Sequence, residues 1–346
     1  MTPSQDLASN SLKPAPVVAA TNPLVVFVTD IGFLVPSLVA ARQLIAQGIH
    51  KIADIVIYTV NIDEKLVGSL ERDPATRHIR FERLPYELFA PPSTVNFHKN
   101  HVPVTSLARL ALQEVMSTSY DNVVYIDGDV QIVGDVSALV RYSVPEGKIM
   151  AGRGSAWLDI GRASGLATPP AYLHGLGGVR EEDYFNAGVL SFSRTTWGVF
   201  APKALQFFFD NSEACIRHDQ SALNAVFKGN VIALAPRYNF HSVYADLHVQ
   251  DTYKPSIIHF TGPKKPWGHV SPPWGSQFQR SYRRLVSEVP MLAPYLAIHD
   301  AGRLKSFVRD LKASANERRR VKAEREEIAA RRQAFFDYVK SEQFAC

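Results

Sequence analysis

Cysteine is almost missing: Cys215 and Cys346 are the only two in 346 residues. That excludes a disulfide-stapled scaffold and a thiolate metal site, and it fits a reducing setting. Long apolar runs are missing too, since none approaches the roughly 20 residues that cross a bilayer. There is no internal repeat. Residues 1–22 mix Ser, Pro, Asn, Ala and Thr without a basic segment leading into an apolar one, so they are expected to be a disordered leader and not a secretion signal. Charge imbalance is confined to one end. The formal net charge is +5, yet residues 303–346 hold twelve Lys/Arg against seven Asp/Glu, and removing them from the totals of 38 and 33 leaves 26 of each. A neutral body argues against nucleic acid as a partner, and the basic tail fits an anionic membrane surface or an acidic protein.

What is present is a core: 46% of the chain is hydrophobic, enough for one large domain with appendages. Leu24-Val-Val-Phe-Val-Thr-Asp30 reads as a strand ending on a carboxylate, Pro36 to Gly48 as a helix, and Asp54 to Val60 as a second buried strand. This β-α-β opening predicts an α/β fold with a mostly parallel sheet. A helix is expected after Pro103, leading into the next strand, with Arg109 near whatever that strand delivers. Phe185 to Phe192 reads as a strand, Phe200 to Phe209 as a helix, Ser256 to Phe260 as the last core strand, and 303–342 as one long charged helix.

The strand Asn122-Val-Val-Tyr-Ile-Asp127-Gly128-Asp129 is the most informative segment. A β-branched run ending in two carboxylates around a glycine delivers both acids to the carboxyl end of a sheet, where open α/β folds bind ligands. Paired hard oxygens on a fixed turn suit Mg²⁺ or Mn²⁺. A plain surface turn is the bland alternative.

Four ordered blocks carry a more specific likeness. They are Ala108-Arg109-Leu110 before Tyr125-Ile-Asp127-Gly-Asp129, then Tyr184-Phe-Asn186-Ala-Gly188, His218-Asp219-Gln220-Ser-Ala-Leu-Asn224, and His259-Phe-Thr-Gly262-Pro-Lys-Lys265-Pro-Trp267. Together, over about residues 24 to 270, the chain resembles glycosyltransferase family 8, retaining enzymes of the GT-A fold that use nucleotide sugars, among them lipopolysaccharide galactosyl- and glucosyltransferases and glycogenin. The resemblance implies that Asp127, Asp129 and His259 bind a divalent cation, Mn²⁺ or Mg²⁺, bridging the diphosphate of a UDP-sugar. It implies Gly262 and Lys265 on the diphosphate, Thr29 and Asp30 on the uracil, and Arg109, Asn186, Asp219 and Gln220 on sugar and diphosphate. After Asp30 this chain reads Ile31-Gly32-Phe33 where the family commonly has a polar residue and Tyr. Asp183 is a weaker contact candidate. The charge of Lys264 and Lys265 alone does not say which turns inward.

A retaining double displacement needs a carboxylate facing the anomeric carbon. The resemblance puts an amide there, Gln220, so same-face substitution is expected, with Gln220 stabilising positive charge and Asp219 the nearest alternative nucleophile. Two other readings stay open: a sugar-nucleotide-binding module without transfer, and a haloacid-dehalogenase-type phosphatase attacking through Asp127. The expected organisation is a leader (1–22), a GT-A catalytic domain (23–275), a connecting segment (276–302) and a basic helical tail (303–346). The acceptor implied is a saccharide or lipid-linked glycan, as in lipopolysaccharide synthesis. The tail, with Arg318 to Arg320, Arg331, Arg332 and the cluster Phe335, Phe336, Tyr338 and Phe344, would hold a cytoplasmic protein peripherally on the inner face of the membrane. Packing of that tail on the body is the equal alternative.

Overall fold

Strict alternation decides the architecture. In the computed structural model, which describes residues 19–95, 97, 103–158, 170–270, 272–298 and 304–346, successive residues of the central strands enter two different cores. Leu24, Val26, Val56, Tyr58, Val123 and Tyr125 pack on one face, and Val25, Phe27, Ile55, Ile57, Val124 and Ile126 on the other. A sheet covered on both sides needs apolar residues at every position, which is why these strands read as unbroken hydrophobic runs.

The strands are β1 (Pro23–Thr29), β2 (Asp54–Thr59), β3 (Arg80–Arg83), β4 (Asn122–Ile126), β5 (Val130–Ile132), β6 (Ile149–Arg153), β7 (Phe185–Ser193), β8 (Val231–Ala233), β9 (Phe240–His241) and β10 (Ile257–His259). Seven form one sheet in the order β3-β2-β1-β4-β7-β6-β8, and β5-β10-β9 form a second. All neighbours in the large sheet run parallel except those of β7, which is antiparallel to β4 and β6. The expected mostly parallel α/β sheet is therefore what forms. The segment at Ile257 is, as expected, the last core strand among the described residues. It belongs to the small sheet, paired antiparallel with β5 so that His259 lies opposite Val130.

The main helices are α1 (Leu34–Ala46), α2 (Glu64–Arg72), α3 (Arg194–Asp210), α4 (His218–Val226), α5 (Gln279–Glu288), α6 (Leu304–Ala323) and α7 (Arg325–Ser341). Gly48 follows α1 with φ of 80°, a left-handed stop that a side chain would strain. The helix after Pro103 is a 3₁₀ turn over Val104–Ala111, continued by a single α turn over Leu112–Val115. Helix α3 begins at Arg194, six residues before the apolar pattern at Phe200, because the Ser193 side chain caps it on the Thr196 amide.

Three expected boundaries shift. Residues 1–18 of the leader lie outside the described residues, but Thr21 and Asn22 are bonded to the Asp121 carboxylate and Ala19 bridges Tyr142. The connecting segment 276–302 is not a passive link among its described residues, since Tyr282, Leu285 and Leu292 are buried in the core beneath α1. The tail is two helices, broken at Glu324, and α7 packs on the body. Phe335 is fully buried against Tyr244 and Tyr253, Arg331 donates to the Leu158 carbonyl, and Ala345 donates to Ala233 on the edge strand β8. An edge strand with free backbone groups invites pairing with another chain, and the C-terminus covers this one.

Phe335→Ala should therefore lower global stability by about 3 to 5 kcal/mol, the usual result of emptying a fully buried aromatic site. A denaturant titration measures it, and a midpoint equal to wild type would mean that α7 is not docked.

Candidate functional site

The site grows out of the place where β4 ends. Tyr125 and Asp127 are two residues apart, so an extended chain points them to the same side. The Tyr125 hydroxyl donates to Oδ1 of Asp127 at 2.7 Å, and Arg109 Nη2 donates to the same oxygen at 2.9 Å. Oδ1 is thereby occupied, and Oδ2 is the oxygen turned towards His259, 3.8 Å from its Nε2.

Arg109 is buried, stacked over the Tyr125 ring at 4.3 Å and donating to the Ala187 carbonyl. Its Nε lies 2.9 Å from Oδ2 of Asp219, an ion contact set too far off line for a hydrogen bond, which leaves both atoms without a hydrogen-bond partner. Burial alone would lower the guanidinium pKa, but Asp127 and Asp219 outweigh it and raise it. Burial pushes the Asp219 carboxyl up against the opposing pull of Arg109, and Asp127 pushes the same way as burial.

Asp129 sits one strand over, at the start of β5. Its Oδ2 is 2.5 Å from Lys265 Nζ and its Oδ1 is 3.3 Å from His259 Nε2. Burial would raise this carboxyl, but the neighbouring Lys265 ammonium and the His259 ring outweigh burial and hold it well below the ordinary carboxylate range. Of the two lysines Lys265 turns inward, also donating to the Phe260 carbonyl at 2.7 Å, while Lys264 is exposed.

One ligand atom from each of Asp127, Asp129 and His259 falls within a cluster 4.8 Å across. Two carboxylate oxygens and an imidazole nitrogen are a donor set that suits Mn²⁺ and Mg²⁺, so the residues fit the cation that the sequence implied. Gly188 makes room for this. A Cβ there would lie 2.1 Å from Cε1 of His259, so only glycine lets the ring reach the carboxylates.

These groups open on a cleft of about 590 Å³, which also carries Thr29, Asp30, Gly128, Asn186, Gln220 and Gly262 on its walls. Every site residue expected from the sequence except Asp183 thus faces one cavity, but several are already engaged. Asp30 Oδ1 accepts from the Gly32 amide at 2.9 Å and Oδ2 from the Thr105 hydroxyl at 2.7 Å, so both oxygens hold the turn that follows β1. The Thr29 hydroxyl donates to the Asp30 carbonyl. Gly128 is needed for space, since a Cβ would lie 2.6 Å from the Ser37 hydroxyl, whereas Gly262 is needed for its φ of 85°. Asp219 lies inside the first turn of α4 and caps nothing, because its carboxylate is spent on Arg109. Asp183 does not join the site: Arg180 holds it at 2.7 and 2.9 Å near the surface.

Several residues went unread in the sequence. Tyr125 could have been found, because it shares the face of β4 with Asp127. Asn239, which accepts from or donates to His259 Nδ1 at 2.8 Å, lies between Tyr238 and the two-residue strand β9 in no recognisable motif. The cleft rim adds Ile216 and Arg217, both exposed.

Known proteins resemble this chain along the same stretch. The sequence profile of the family described as Glycosyl transferase family 8 matches residues 24–271. Glycosyltransferase GlyE of Streptococcus pneumoniae serotype 4 is 25% identical over 188 residues, which cover 50% of this chain and 39% of that protein. The lipopolysaccharide 1,2-glucosyltransferase of Escherichia coli K12 is 26% identical over 170 residues, covering 46% of this chain and 48% of its own. The chain thus spans half or less of these two relatives. Among solved structures, galactosyltransferase LgtC in complex with donor and acceptor sugar analogs superposes with a TM-score of 0.58 at 23% identity, over 80% of this chain and 97% of that one. That likeness establishes the GT-A fold.

Gly188→Ala tests the geometry of the cluster. The added methyl should force His259 out of reach of the carboxylates and weaken Mn²⁺ binding by about tenfold or more, the scale on which disturbed ligands lose metal. Titration followed by electron paramagnetic resonance measures this, with circular dichroism as the check on folding, and unchanged Mn²⁺ affinity in a folded variant would remove His259 from the ligand set.

Proposed function

The chain belongs to glycosyl transferase family 8, and from that premise we propose that it moves a hexose, galactose or glucose, from a UDP-sugar to a hydroxyl of a saccharide or glycolipid acceptor with retention at the anomeric carbon. The observation that carries this reading is the convergence of Asp127, Asp129 and His259 with Arg109 and Lys265 on one cleft. Four carboxylates line it, Asp30, Asp127, Asp129 and Asp219, against three cations, Arg109, Arg217 and Lys265, so the site has a deficit of positive charge that a divalent cation reverses. A bound Mn²⁺ or Mg²⁺ would neutralise the diphosphate as it leaves.

The chain's own residues do the rest. Lys265 lies beside Asp129 and within the same wall as Gly262, whose bare backbone lets a phosphate approach, and it supplies a point charge to the diphosphate. Asn186 and Gln220 present amides to the sugar end of the cleft. Gln220 Oε1 accepts from Asn186 Nδ2 and from the Ala187 amide, both at 3.1 Å, so the side chain is held by its neighbours and offers a fixed dipole to developing positive charge. Asp219 we assign to holding Arg109, not to nucleophilic attack, and its side-chain exposure of 5% beside the guanidinium supports that. Same-face substitution, with the leaving phosphate oxygen taking the proton of the acceptor hydroxyl, then follows for a site that has no free carboxylate among the described residues of its sugar-facing wall. Thr29 and Asp30 remain our assignment for the uracil end. The phosphatase reading is set aside because the family whose profile matches residues 24–271 is one of glycosyl transferases.

With Mn²⁺ and a UDP-hexose in ¹⁸O-water, slow hydrolysis should release UDP and place the label on the sugar, and EDTA should abolish it. Label in phosphate, or full turnover in EDTA, would overturn the proposal.

The membrane partner moves along the tail. Phe335 and Tyr338 are buried and Phe344 packs on the core, so that cluster cannot face lipid. Helix α6 instead exposes Leu304, Phe307, Val308 and Leu311 at helical spacing, followed by the exposed Lys312, Arg318 and Arg319. We assign this face to an anionic bilayer, which would bring a lipid-linked acceptor to a protein whose described helices are none long and apolar enough to cross a membrane. Phe307→Glu with Leu311→Glu should weaken binding to phosphatidylglycerol vesicles, read by co-sedimentation, by about 30-fold or more, since about 1 kcal/mol or more is lost at each site, and should leave donor hydrolysis intact. Undiminished sedimentation would discard the membrane role.

A further inference from the structure

We propose that Asn239 is a positioning residue that fixes His259 with Nε2 bare towards Asp127 and Asp129, and that it takes this orientation from two backbone N–H groups of β7. The inference rests on the reading of His259 as a cation ligand and goes beyond it, because Asn239 lies behind the wall of the cleft and touches none of its contents.

Amide side chains have interchangeable shapes, but a backbone N–H is a donor in every setting. The Gly188 amide donates to Oδ1 of Asn186 at 2.9 Å, and the Ala187 amide donates to Oε1 of Gln220 at 3.1 Å. Both carbonyl ends are thereby fixed. Asn186 Nδ2 must then donate to Gln220 Oε1, at 3.1 Å, and Gln220 Nε2 donates onward to the Tyr184 hydroxyl at 2.9 Å. Asn239 meets the same Asn186 Oδ1 at 2.9 Å. Facing an acceptor, it must present Nδ2, which leaves its Oδ1 at 2.8 Å from Nδ1 of His259. An amide oxygen only accepts, so Nδ1 carries a proton, and the neutral imidazole that a cation ligand must be then has Nε2 bare. The other nitrogen, Nε2, is the one 3.3 Å from Asp129 and 3.8 Å from Asp127.

Turning Asn239 over would set two amide oxygens against each other at 2.9 Å and leave them buried, since Asn239 is 1% exposed. One polarity therefore runs from the backbone of β7 through Asn186 to the cation ligand on one side and through Gln220 to Tyr184 on the other. The metal end and the sugar end of the cleft are oriented by the same two N–H groups.

The direct test uses the wild-type protein with ¹⁵N-labelled histidine, recorded with Mg²⁺ and UDP. Long-range proton–nitrogen correlations of His259 should show Nδ1 protonated and Nε2 bare; any other protonation pattern overturns the proposal. Two variants separate the two ends of Asn239. Asn239→Asp keeps an acceptor for His259 but opposes Asn186 Oδ1, so Mn²⁺ affinity should stay within about threefold of wild type while UDP-hexose turnover falls at least about tenfold. Asn239→Leu loses both contacts, and Mn²⁺ affinity should fall by about 10- to 100-fold. Wild-type Mn²⁺ affinity in folded Asn239→Leu, or full turnover in Asn239→Asp, would overturn the inference. Failure of the wild-type protein to bind Mn²⁺ would instead remove the cation reading beneath it.

Discussion

One buried guanidinium organises this protein. Arg109 is pinned by Asp127, Asp219, the Ala187 carbonyl and the face of Tyr125, and these come from three separate segments of the chain besides its own. A charge taken out of water survives only where opposite charges surround it, and the carboxylates are equally dependent on it. Removing one partner from such a cluster typically costs about 3 to 5 kcal/mol, because a charge is then stranded. The 3₁₀ turn that carries Arg109, the end of β4, the start of β7 and the first turn of α4 are therefore locked at one point. The cleft is what remains open on the outer side of that point.

Much of this was legible in residue order, and the reasons differ by element. Strands β1, β2, β4 and β7 announced themselves because a sheet buried on both faces admits no polar interruption. Asp127 and Asp129 announced themselves because carboxylates at a strand end have few structural uses. The small sheet was harder. Its strands β9 and β10 are two and three residues long, too short for any periodicity to show, and their pairing with β5 is set by tertiary contact alone. Asn239 was invisible for the same reason, as a lone amide between a 3₁₀ turn and a two-residue strand. The tail misled through composition. Its charge count describes the whole segment, whereas packing is decided by a few residues on one face, and Phe335 and Ile328 on α7 outweigh the arginines around them.

The C-terminal region divides at the break at Glu324. Helix α7 is structural, filling the core around Tyr244 and closing the sheet at β8. Helix α6 keeps its apolar stripe outward. A region that looked uniform in sequence thus divides into a part that the fold requires and a part whose apolar stripe the fold leaves uncovered.

The small sheet also sets an order in time. Asp129 and His259 are 130 positions apart and become neighbours only when β10 aligns against β5. A ribosome adds about 5 to 20 residues per second, and domains begin to form as the chain emerges. Strands β1 to β4 can associate while His259 is still unmade, with the acidic pair present and its imidazole partner absent. During that interval the nascent chain holds the two carboxylates without the imidazole, so the cluster of Asp127, Asp129 and His259 is complete only when β10, the last strand among the described residues, has been made.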